Sequence, residues 1–326
     1  MTVRVFILLL ATAIGASAGI TDAASYSRRT GESALLVWKN GRIIFERQGE
    51  GPADANVFSI TKSLAALGTL QAISRGALHL DDRVSDTFTA WQSDPRKKLI
   101  TVRQLLSQTS GLATGFEELY GRGVRDKTAA VLKLPTVSRP GESFAYGPSH
   151  YEALSALAAR KSPPAASWLK IPLTNVRPAD LRRDRLGQPY FSAGARLTPR
   201  QLLEMGQFVR QRGRVLIFPI VSSNLMKEAT SGTRGNAMYG FGLWLNGNAR
   251  GTAAIERDVE EAIGAGLSSN QWAASCLSRG APSDLIAMVG SRGQRVYIVP
   301  SRNEIIVRLG NKPGFRDPDF LRAYYK

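Results

Sequence analysis

Serine and lysine stand three residues apart at two places in the chain, in Ser59-Ile60-Thr61-Lys62 and in Ser167-Trp168-Leu169-Lys170. A serine hydroxyl becomes a nucleophile when a neighbouring base takes its proton. A lysine amine can be that base if burial or nearby positive charge lowers its pKa. Because this spacing is common by chance, the surrounding sequence must decide between the two tetrads.

The surroundings favour the first tetrad. Ser59 opens an apolar stretch, residues 59–75, in which leucine and isoleucine recur at helical intervals. Residues three apart share one face of a helix, so the Lys62 amine can lie beside the Ser59 hydroxyl. Ser167 lies between prolines in a stretch too short for a comparable buried helix. The alternative for the first tetrad is that Ser59 only caps a helix and Lys62 is a solvated helix residue.

Tyr146 is the third candidate for chemistry. It ends the turn-like segment 140–146 and comes just before a helical pattern that begins near Ser149. A phenol close to a serine and a lysine can relay a proton to a leaving group, which gives acid and base catalysis without histidine. The alternative is that Tyr146 is an ordinary packing aromatic.

The elements that would position these residues begin and end with strands. Ala34–Trp38 and Arg42–Phe45 are apolar or alternating runs joined by Asn40-Gly41, which predicts a tight hairpin. Near the other end, Arg295–Val299 and Glu304–Leu309 flank a turn segment and predict two more strands. We therefore expect one antiparallel sheet built from strands of both chain ends.

Most of the sequence between these strands is helical. Thr101 is a predicted N-cap, and Thr198-Pro199 predicts another helix start, because proline at the first helical position loses no hydrogen bond. The predicted fold class is α+β, with the antiparallel sheet of N- and C-terminal strands flanked by helices. A helical subdomain is expected as an insertion at roughly residues 77–195.

The first residues, Met1–Ala24, read as an export signal. A short apolar run, Val5–Ile14, follows a positive start, and Ala16-Ser17-Ala18 has the small-residue pattern of a cleavage site. Cleavage nearer Ala24 is the alternative. We expect residues 25–326 to form a single catalytic unit that is secreted, into the periplasm in a Gram-negative host, without a transmembrane anchor.

Charge and composition narrow the classes of partner. The chain has 43 Lys and Arg against 26 Asp and Glu, a net charge of +17, which would attract an anionic cell-wall or membrane surface. The basic residues are dispersed without a basic run of five, so nucleic acid is not expected as a partner. One cysteine and two histidines exclude an internal disulfide and the usual zinc modules, so no metal is expected.

Several motifs occur together and in order along residues 31 to 312. In this joint pattern the chain resembles the penicillin-recognising serine hydrolases, which include class C β-lactamases, D-alanyl-D-alanine carboxypeptidases, esterases and 6-aminohexanoate-oligomer hydrolases. The motifs that carry the resemblance are the first tetrad, Gly76–Asp82, Thr101–Leu112, Pro140–Tyr146, Tyr239–Trp244 and Gly293–Pro300.

The resemblance implies a serine β-lactamase/transpeptidase-like fold and acyl transfer without a cofactor. Ser59 would attack a carbonyl carbon, Lys62 would accept its proton, and Tyr146 would assist proton delivery. The oxyanion would be held by the backbone N–H of Ser59 and a second N–H near Ser291. The expected surroundings of substrate and oxyanion on the late strand are Gly290, Ser291, Arg292 and Gly293.

The chain departs from the family pattern at three places. The family's Tyr-x-Asn element is Tyr146-Gly147-Pro148 here, so the amide that would bind an acylamino substrate is missing. The late Lys/His-Thr-Gly element is Met288-Val289-Gly290, which loses a basic residue and a hydroxyl. Arg292 is a candidate replacement for that charge, or one more exposed arginine. Gln108 stands in place of the family's histidine, with an expected effect on packing rather than chemistry.

These departures favour a hydrolase of a small ester or amide, nearer the esterase and 6-aminohexanoate-oligomer branches than true β-lactamases. His150 and Pro148 are expected to lie close behind Tyr146. Two alternatives remain: a penicillin-fold periplasmic binding protein whose catalysis has lapsed, and a D-alanyl-D-alanine carboxypeptidase or β-lactamase.

Overall fold

The computed structural model of the chain describes residues 18–49, 54–161, 167–168, 181–247 and 249–326. Its centre is a six-stranded antiparallel sheet in the order β2-β1-β12-β11-β10-β7. The strands are β1 (Glu32–Lys39), β2 (Arg42–Gln48), β3 (Ala55–Asn56), β4 (Arg196–Leu197), β5 (Arg214–Val215), β6 (Phe218–Pro219), β7 (Trp244–Leu245), β8 (Ile255–Glu256), β9 (Ser275–Cys276), β10 (Ile286–Gly290), β11 (Gln294–Val299) and β12 (Glu304–Gly310).

Helices cover both faces of this sheet. They are α1 (Ala18–Arg29), α2 (Ile60–Ser74), α3 (Val102–Leu106), α4 (Phe116–Tyr120), α5 (Lys127–Lys133), α6 (Ser149–Lys161), α7 (Pro199–Arg210), α8 (Ser223–Ala229), α9 (Val259–Gly264), α10 (Ser269–Ala273) and α11 (Asp317–Tyr324).

Strands from both chain ends form the sheet, as the sequence predicts. In the first hairpin, Asn40 and Gly41 turn the chain with φ of 50° and 91°, in the left-handed region that a tight hairpin needs. Strand β12 lies between β1 and β11, and Leu36 pairs with Val307 across the junction. The predicted α+β class with an antiparallel sheet is therefore confirmed.

The alternation of side chains along the strands divides the interior into two cores. In β1, Leu36 joins the larger core, which contains α2 and α7, whereas its neighbours Leu35 and Val37 face the core beneath α1 and α11. In β11, Ile298 and Tyr297 divide between the two cores in the same way. A strand buried on both faces must be apolar at nearly every position, which explains its continuous hydrophobic sequence.

The helical middle of the chain leaves and rejoins the rest of the fold at one short ladder. Strand β3 pairs with β4 through Ala55 and Leu197, so the two ends of the segment between them lie side by side. The segment contains α2 to α6, and the predicted N-cap Thr101 forms a capping box with Gln104 at the start of α3. This ladder also fixes the residues that lead into Ser59.

The N-terminal helix packs against the C-terminal helix. Ile20, Ala23 and Ala24 of α1 are buried, and a Cβ on Gly19 would lie 2.3 Å from the Tyr324 carbonyl oxygen of α11. Residues 1–17 of the predicted export signal lie outside the described residues. Within the described ranges, every helix is too short or too polar to cross a bilayer.

Candidate active site

Ser59 lies at the N-terminus of α2 on a strained turn. Phe58 before it has φ of 46°, a left-handed conformation that is unfavourable for a bulky residue. Asn56 holds this turn by accepting a hydrogen bond from the Phe58 N–H at 2.9 Å, and the Thr61 hydroxyl donates to the Phe58 carbonyl at 2.6 Å. The Ser59 side chain makes no capping bond to the helix backbone. Its hydroxyl is therefore not engaged as an N-cap, and the residue is partly exposed.

Lys62 is buried with its amine facing that hydroxyl. Its Nζ lies 3.2 Å from Ser59 Oγ and 2.9 Å from the Ser192 carbonyl oxygen. The residue is 3% exposed, and burial lowers the pKa of Lys62 to about 7, with the Glu152 carboxylate acting in the opposite direction. An amine with this pKa is uncharged in a large fraction of molecules at neutral pH, so it can accept a proton.

The phenol of Tyr146 completes a group of three. It is hydrogen-bonded with Ser59, and its ring centre lies 4.8 Å from the Lys62 Nζ. Burial raises the pKa of Tyr146 to about 12, the hydrogen bond with Ser59 opposing this rise. The phenol therefore keeps its proton at neutral pH and is suited to donate it. The ring packs against Trp244 and Tyr239, at 5.8 and 6.2 Å between ring centres.

Gln108 holds the turn that carries Tyr146. Its Nε2 donates to the Tyr239 hydroxyl at 2.8 Å, and its Oε1 accepts from the Gly147 N–H at 2.9 Å. Its backbone carbonyl also accepts from the Ala145 N–H at 3.1 Å. Sequence reasoning assigned Gln108 to packing, but the residue binds both sides of Tyr146. The departure from the family's histidine was the one signal for this role, since the bonding partners are far along the chain.

Pro148 and His150 lie directly after Tyr146, at the start of α6. Pro148 contributes its carbonyl oxygen to the first turn and has no side-chain donor. His150 is fully buried between two partners: its Nε2 donates to the Ala145 carbonyl at 2.8 Å, and its Nδ1 accepts from the Ser110 hydroxyl at 2.9 Å. Burial lowers the pKa of His150 to about 4, so it stays neutral and anchors the backbone beside Tyr146.

The end of β10 reaches the other side of Ser59. A Cβ on Gly290 would lie 2.2 Å from the Val57 carbonyl oxygen, so only glycine allows this approach. The Arg292 guanidinium carbon is 5.6 Å from the Phe58 ring centre. Ser291 and Arg292 are both exposed at the turn after β10, next to Phe58 and Ser59.

A buried ionic cluster supports that turn from behind. Glu260 of α9 accepts from the backbone N–H groups of Arg292 and Gly293, both at 3.1 Å. Arg295 binds the same carboxylate at 3.0 Å and the Gly290 carbonyl at 2.8 Å. Glu260 thus binds the backbone N–H groups of two of the three turn residues 291–293. Ser291 is the one whose N–H is not bonded to this carboxylate. Sequence reasoning treated Arg295 only as a strand residue and did not select Glu260.

Half of the second tetrad lies outside the described residues. Ser167 and Trp168 are described as a short turn, and Lys170 is not described. Among the described residues, no three His, Cys, Asp or Glu side chains gather as metal ligands would. The reactive groups that the structure brings together at Ser59 are a hydroxyl, an amine and a phenol.

Known proteins share parts of this sequence. Protein flp of Staphylococcus aureus (strain COL) is 28% identical over 141 residues, which cover 37% of this chain and 28% of that protein. Esterase EstB of Burkholderia gladioli is 31% identical over 119 residues, covering 32% of this chain and 30% of that protein. The match thus spans under a third of the length of each of these relatives.

Solved structures share the whole fold at low identity. A putative beta-lactamase from Bacteroides dorei DSM 17855 superimposes with a TM-score of 0.69 at 18% identity, covering 94% of this chain and 95% of that one. A putative 6-aminohexanoate-dimer hydrolase from Bacillus anthracis gives 0.69 at 15%, covering 92% and 79%. EstCE1, a hydrolase with promiscuous acyltransferase activity, gives 0.68 at 15%, covering 95% and 99%.

The family comparison extends over all of the described chain. The family model for Beta-lactamase matches residues 18–326, which include every residue of the site described above. The chain belongs to the beta-lactamase family.

Proposed function

We propose that the protein is an exported serine hydrolase that cleaves ester or amide bonds of small molecules through an acyl-enzyme. The observation that carries the proposal is the contact of Ser59 Oγ with both the buried Lys62 amine and the Tyr146 phenol. Acyl transfer needs a nucleophile, a base and an acid. The Ser59 hydroxyl has the Lys62 amine at 3.2 Å as an uncharged base and the Tyr146 phenol beside it as a protonated acid.

In the first half of the reaction, Ser59 Oγ bonds to the substrate carbonyl carbon while its proton passes to Lys62. The negative charge that develops on the carbonyl oxygen is held by backbone N–H groups, of Ser59 at the start of α2 and of Ser291 after β10. The bond to the leaving group then breaks as Tyr146 donates its proton to that group. Lys62 returns a proton to Tyr146, so both side chains regain their starting states.

In the second half, water attacks the acyl carbon and the Lys62 amine takes a proton from it. The ester bond to Ser59 Oγ breaks, and the serine oxygen regains a proton from the Lys62 ammonium. No redox step or external group is required, because every proton removed in one step is returned in another. The product acid then leaves the cleft.

Two features favour simple esters or amides over β-lactams. Pro148 has no side-chain donor for an acylamino group, and Met288-Val289-Gly290 offers neither a cation nor a hydroxyl. The similar proteins include Esterase EstB and a putative 6-aminohexanoate-dimer hydrolase, which supports the same direction. A β-lactamase or D-alanyl-D-alanine carboxypeptidase remains the alternative enzyme.

A fluorophosphonate probe and a substrate panel test this proposal. Wild type should be labelled on the peptide that contains Ser59, and Ser59→Ala should not be labelled. Ser85→Ala removes another buried serine hydroxyl, which donates to the Lys98 carbonyl, and should leave labelling intact. Equal labelling of wild type and Ser59→Ala would remove Ser59 from the mechanism.

The panel assigns the substrate class. It comprises p-nitrophenyl esters of increasing acyl length, short linear amides, a chromogenic cephalosporin and a D-alanyl-D-alanine peptide. The proposal expects turnover of esters or linear amides. Preferred turnover of the cephalosporin or the peptide would identify the alternative enzyme instead. A protein that binds cell-wall fragments but is neither labelled nor active would be a lapsed binding protein.

Export is part of the proposal. Cleavage after Ala18 would remove only the first residue of α1, whereas cleavage near Ala24 would remove Ile20 and Ala23, which are buried in the described fold. We therefore favour the earlier site. Expression in a Gram-negative host followed by N-terminal sequencing of the periplasmic fraction tests this, and a cytoplasmic, uncleaved protein would contradict it.

Association with an anionic surface is proposed as well. The hairpin of β5 and β6 exposes Leu216, Ile217 and Phe218 by 61 to 80%, and Arg212 and Arg214 are exposed in the same segment. Apolar side chains beside arginines suit the interface of an anionic membrane. Co-sedimentation with phosphatidylglycerol vesicles, but not with phosphatidylcholine vesicles, should be lost in high salt; equal binding to both would contradict the charge-based attraction.

A further inference from the structure

A second lysine is fully buried a short way behind the proposed catalytic one. Lys127 at the start of α5 and Glu152 of α6 form an ion pair, 2.8 Å from Nζ to Oε2, with both side chains 0% exposed. The Lys127 Nζ also donates to the Ser155 hydroxyl at 3.0 Å. Burying two charges is costly unless they are paired and their remaining hydrogen-bonding groups are satisfied, so the position of this pair calls for a physical reason.

The other oxygen of Glu152 holds the backbone that contacts Lys62. Glu152 Oε1 accepts from the N–H of Phe191 at 3.1 Å, from the N–H of Ser192 at 2.9 Å and from the Ser192 hydroxyl. Three donors on one carboxylate oxygen fix the Ser192 backbone firmly. The carbonyl of the same residue accepts from Lys62 Nζ at 2.9 Å. The Lys62 amine is thus oriented through Ser192 by the Glu152 carboxylate.

The surroundings make Glu152 the main electrostatic influence on Lys62. Of the groups that face the amine, Tyr146 and His150 are neutral at neutral pH. Glu152 is the charge that favours a proton on Lys62, against the effect of burial. The charged and titratable side chains packed around the Glu152 carboxylate and its immediate partners include Lys127, Tyr120, Tyr190, Arg182 and Asp184, whose carboxylate accepts from the Lys127 backbone N–H.

We propose that Glu152 and Lys127 act as a positioning pair, in which Glu152 fixes the carbonyl that orients Lys62 and Lys127 neutralises Glu152 so that Lys62 can release its proton. This inference rests on the proposed role of Lys62 as the base. Without its counter-ion, the buried Glu152 carboxylate would favour the protonated form of Lys62. A protonated Lys62 cannot accept the proton of Ser59. Glu152 therefore keeps its hydrogen bonds to residues 191 and 192, while Lys127 offsets its negative charge.

Two isosteric substitutions test the pair in opposite directions. Glu152→Gln keeps an oxygen for the backbone donors and removes the negative charge, so the acid limb of the pH profile for Ser59 acylation should move to lower pH. Lys127→Met removes the counter-ion and should move the limb to higher pH, by about one pH unit or more. In the double variant the Lys127 effect should vanish, because Glu152 no longer carries a charge to neutralise. The proposal would be overturned if the acid limb stayed at its wild-type pH in both variants, or if it moved in the same direction in both.

A control variant tests whether the shift of the limb depends on charge. A direct titration of Lys62 distinguishes the role of the pair from the proposed function. Tyr190→Phe keeps the ring beside Lys127 and removes the hydroxyl that donates to the Leu119 carbonyl, so it changes no charge and should leave the limb where it is; a shift as large as that of Lys127→Met would show that the loss of a neutral buried hydrogen bond is enough to move it. The Lys62 side chain, labelled with ¹³C at Cε and assigned with Lys62→Arg, reports its own titration. If Ser59 acylates and the variants do not shift this titration, the pair has no such role although the proposed function stands. If the titration shifts as expected while Ser59 never acylates, the pair stands and the proposed function fails.

Discussion

The Lys62 amine lies over the ring of Tyr146, with Nζ 4.8 Å from the ring centre. An aromatic face attracts a cation, so in the proposed mechanism the ring would stabilise the ammonium that forms when Lys62 accepts a proton from Ser59. The same tyrosine places its hydroxyl in hydrogen-bonding contact with Ser59. In the proposed mechanism, one side chain would thus assist the base through its ring and supply the acid through its hydroxyl.

The pH profile of acylation should follow Lys62. Because burial lowers the pKa of Lys62 to about 7, the amine is protonated and inactive below that pH, and the rate should rise as pH increases through about 7. Tyr146, with a pKa raised to about 12, should cause no fall below that pH. Fluorophosphonate labelling rates between pH 5 and 10 measure this. Lys62→Met should lower the rate about 100-fold or more and abolish the limb; an unchanged rate would assign the base elsewhere.

Tyr146→Phe should separate substrates by their leaving groups. The ring contacts with Trp244 and Tyr239 remain, so the free energy of unfolding should change little. Hydrolysis of an alkyl ester, whose alkoxide needs a proton, should fall about 100-fold or more. Hydrolysis of the matching p-nitrophenyl ester should fall much less, because its leaving group departs as a stable anion. Equal losses for both esters would contradict a role for Tyr146 as the acid.

Gln108→Leu should disturb the site from a distance. It leaves the Gly147 N–H buried without its partner, at a cost of about 1–3 kcal/mol, and removes one hydrogen bond from the Tyr239 hydroxyl, which keeps its bond with Tyr151. We expect a lower free energy of unfolding in urea and a lower kcat as Tyr146 moves. Gln92→Leu, at an exposed site with one bond to the Ser85 carbonyl, is the control and should change neither quantity appreciably.

Gly290→Ala should move the end of β10 away from Val57, which precedes Ser59 by two residues. The added methyl group would lie 2.2 Å from the Val57 carbonyl oxygen, a distance at which the backbone must move. Acylation of Ser59 should fall, because both proposed oxyanion donors depend on this contact. Gly264→Ala, where an added Cβ meets nothing within 4 Å, is the control. A Gly290→Ala variant that acylates at the wild-type rate would show that the spacing is not required.

Asp317→Asn should test the ionic cluster that supports the turn at residues 291–293. Asp317 binds buried Arg295 at 2.7 Å and also accepts from the Val259 N–H at 3.1 Å. Removing its charge leaves the arginine poorly compensated, so the free energy of unfolding should fall by about 3–5 kcal/mol. Asp319→Asn on the same helix α11, at an exposed site, should cost less than about 1 kcal/mol. Similar losses for both variants would contradict the expected effect of burial.

The sequence by itself determined what is local or periodic. The spacing of Ser59 and Lys62 sets their distance because a helix brings residues three apart onto one face. The Asn40-Gly41 turn and the alternation of the flanking strands likewise depend on neighbouring residues alone, and both were predicted. The ordered motifs identified the family, which the match over residues 18–326 confirms.

Only the tertiary structure decided which distant groups serve this site. The acceptor that orients Lys62 is a backbone carbonyl, at Ser192, 130 residues away, and no residue type marks a carbonyl in a sequence. Gln108, Glu152 and Glu260 act through backbone N–H groups or buried charges whose partners come from other elements. The proton affinity of Lys62 follows the same rule, because it depends on how much water the assembled fold excludes and on which charge the fold brings near.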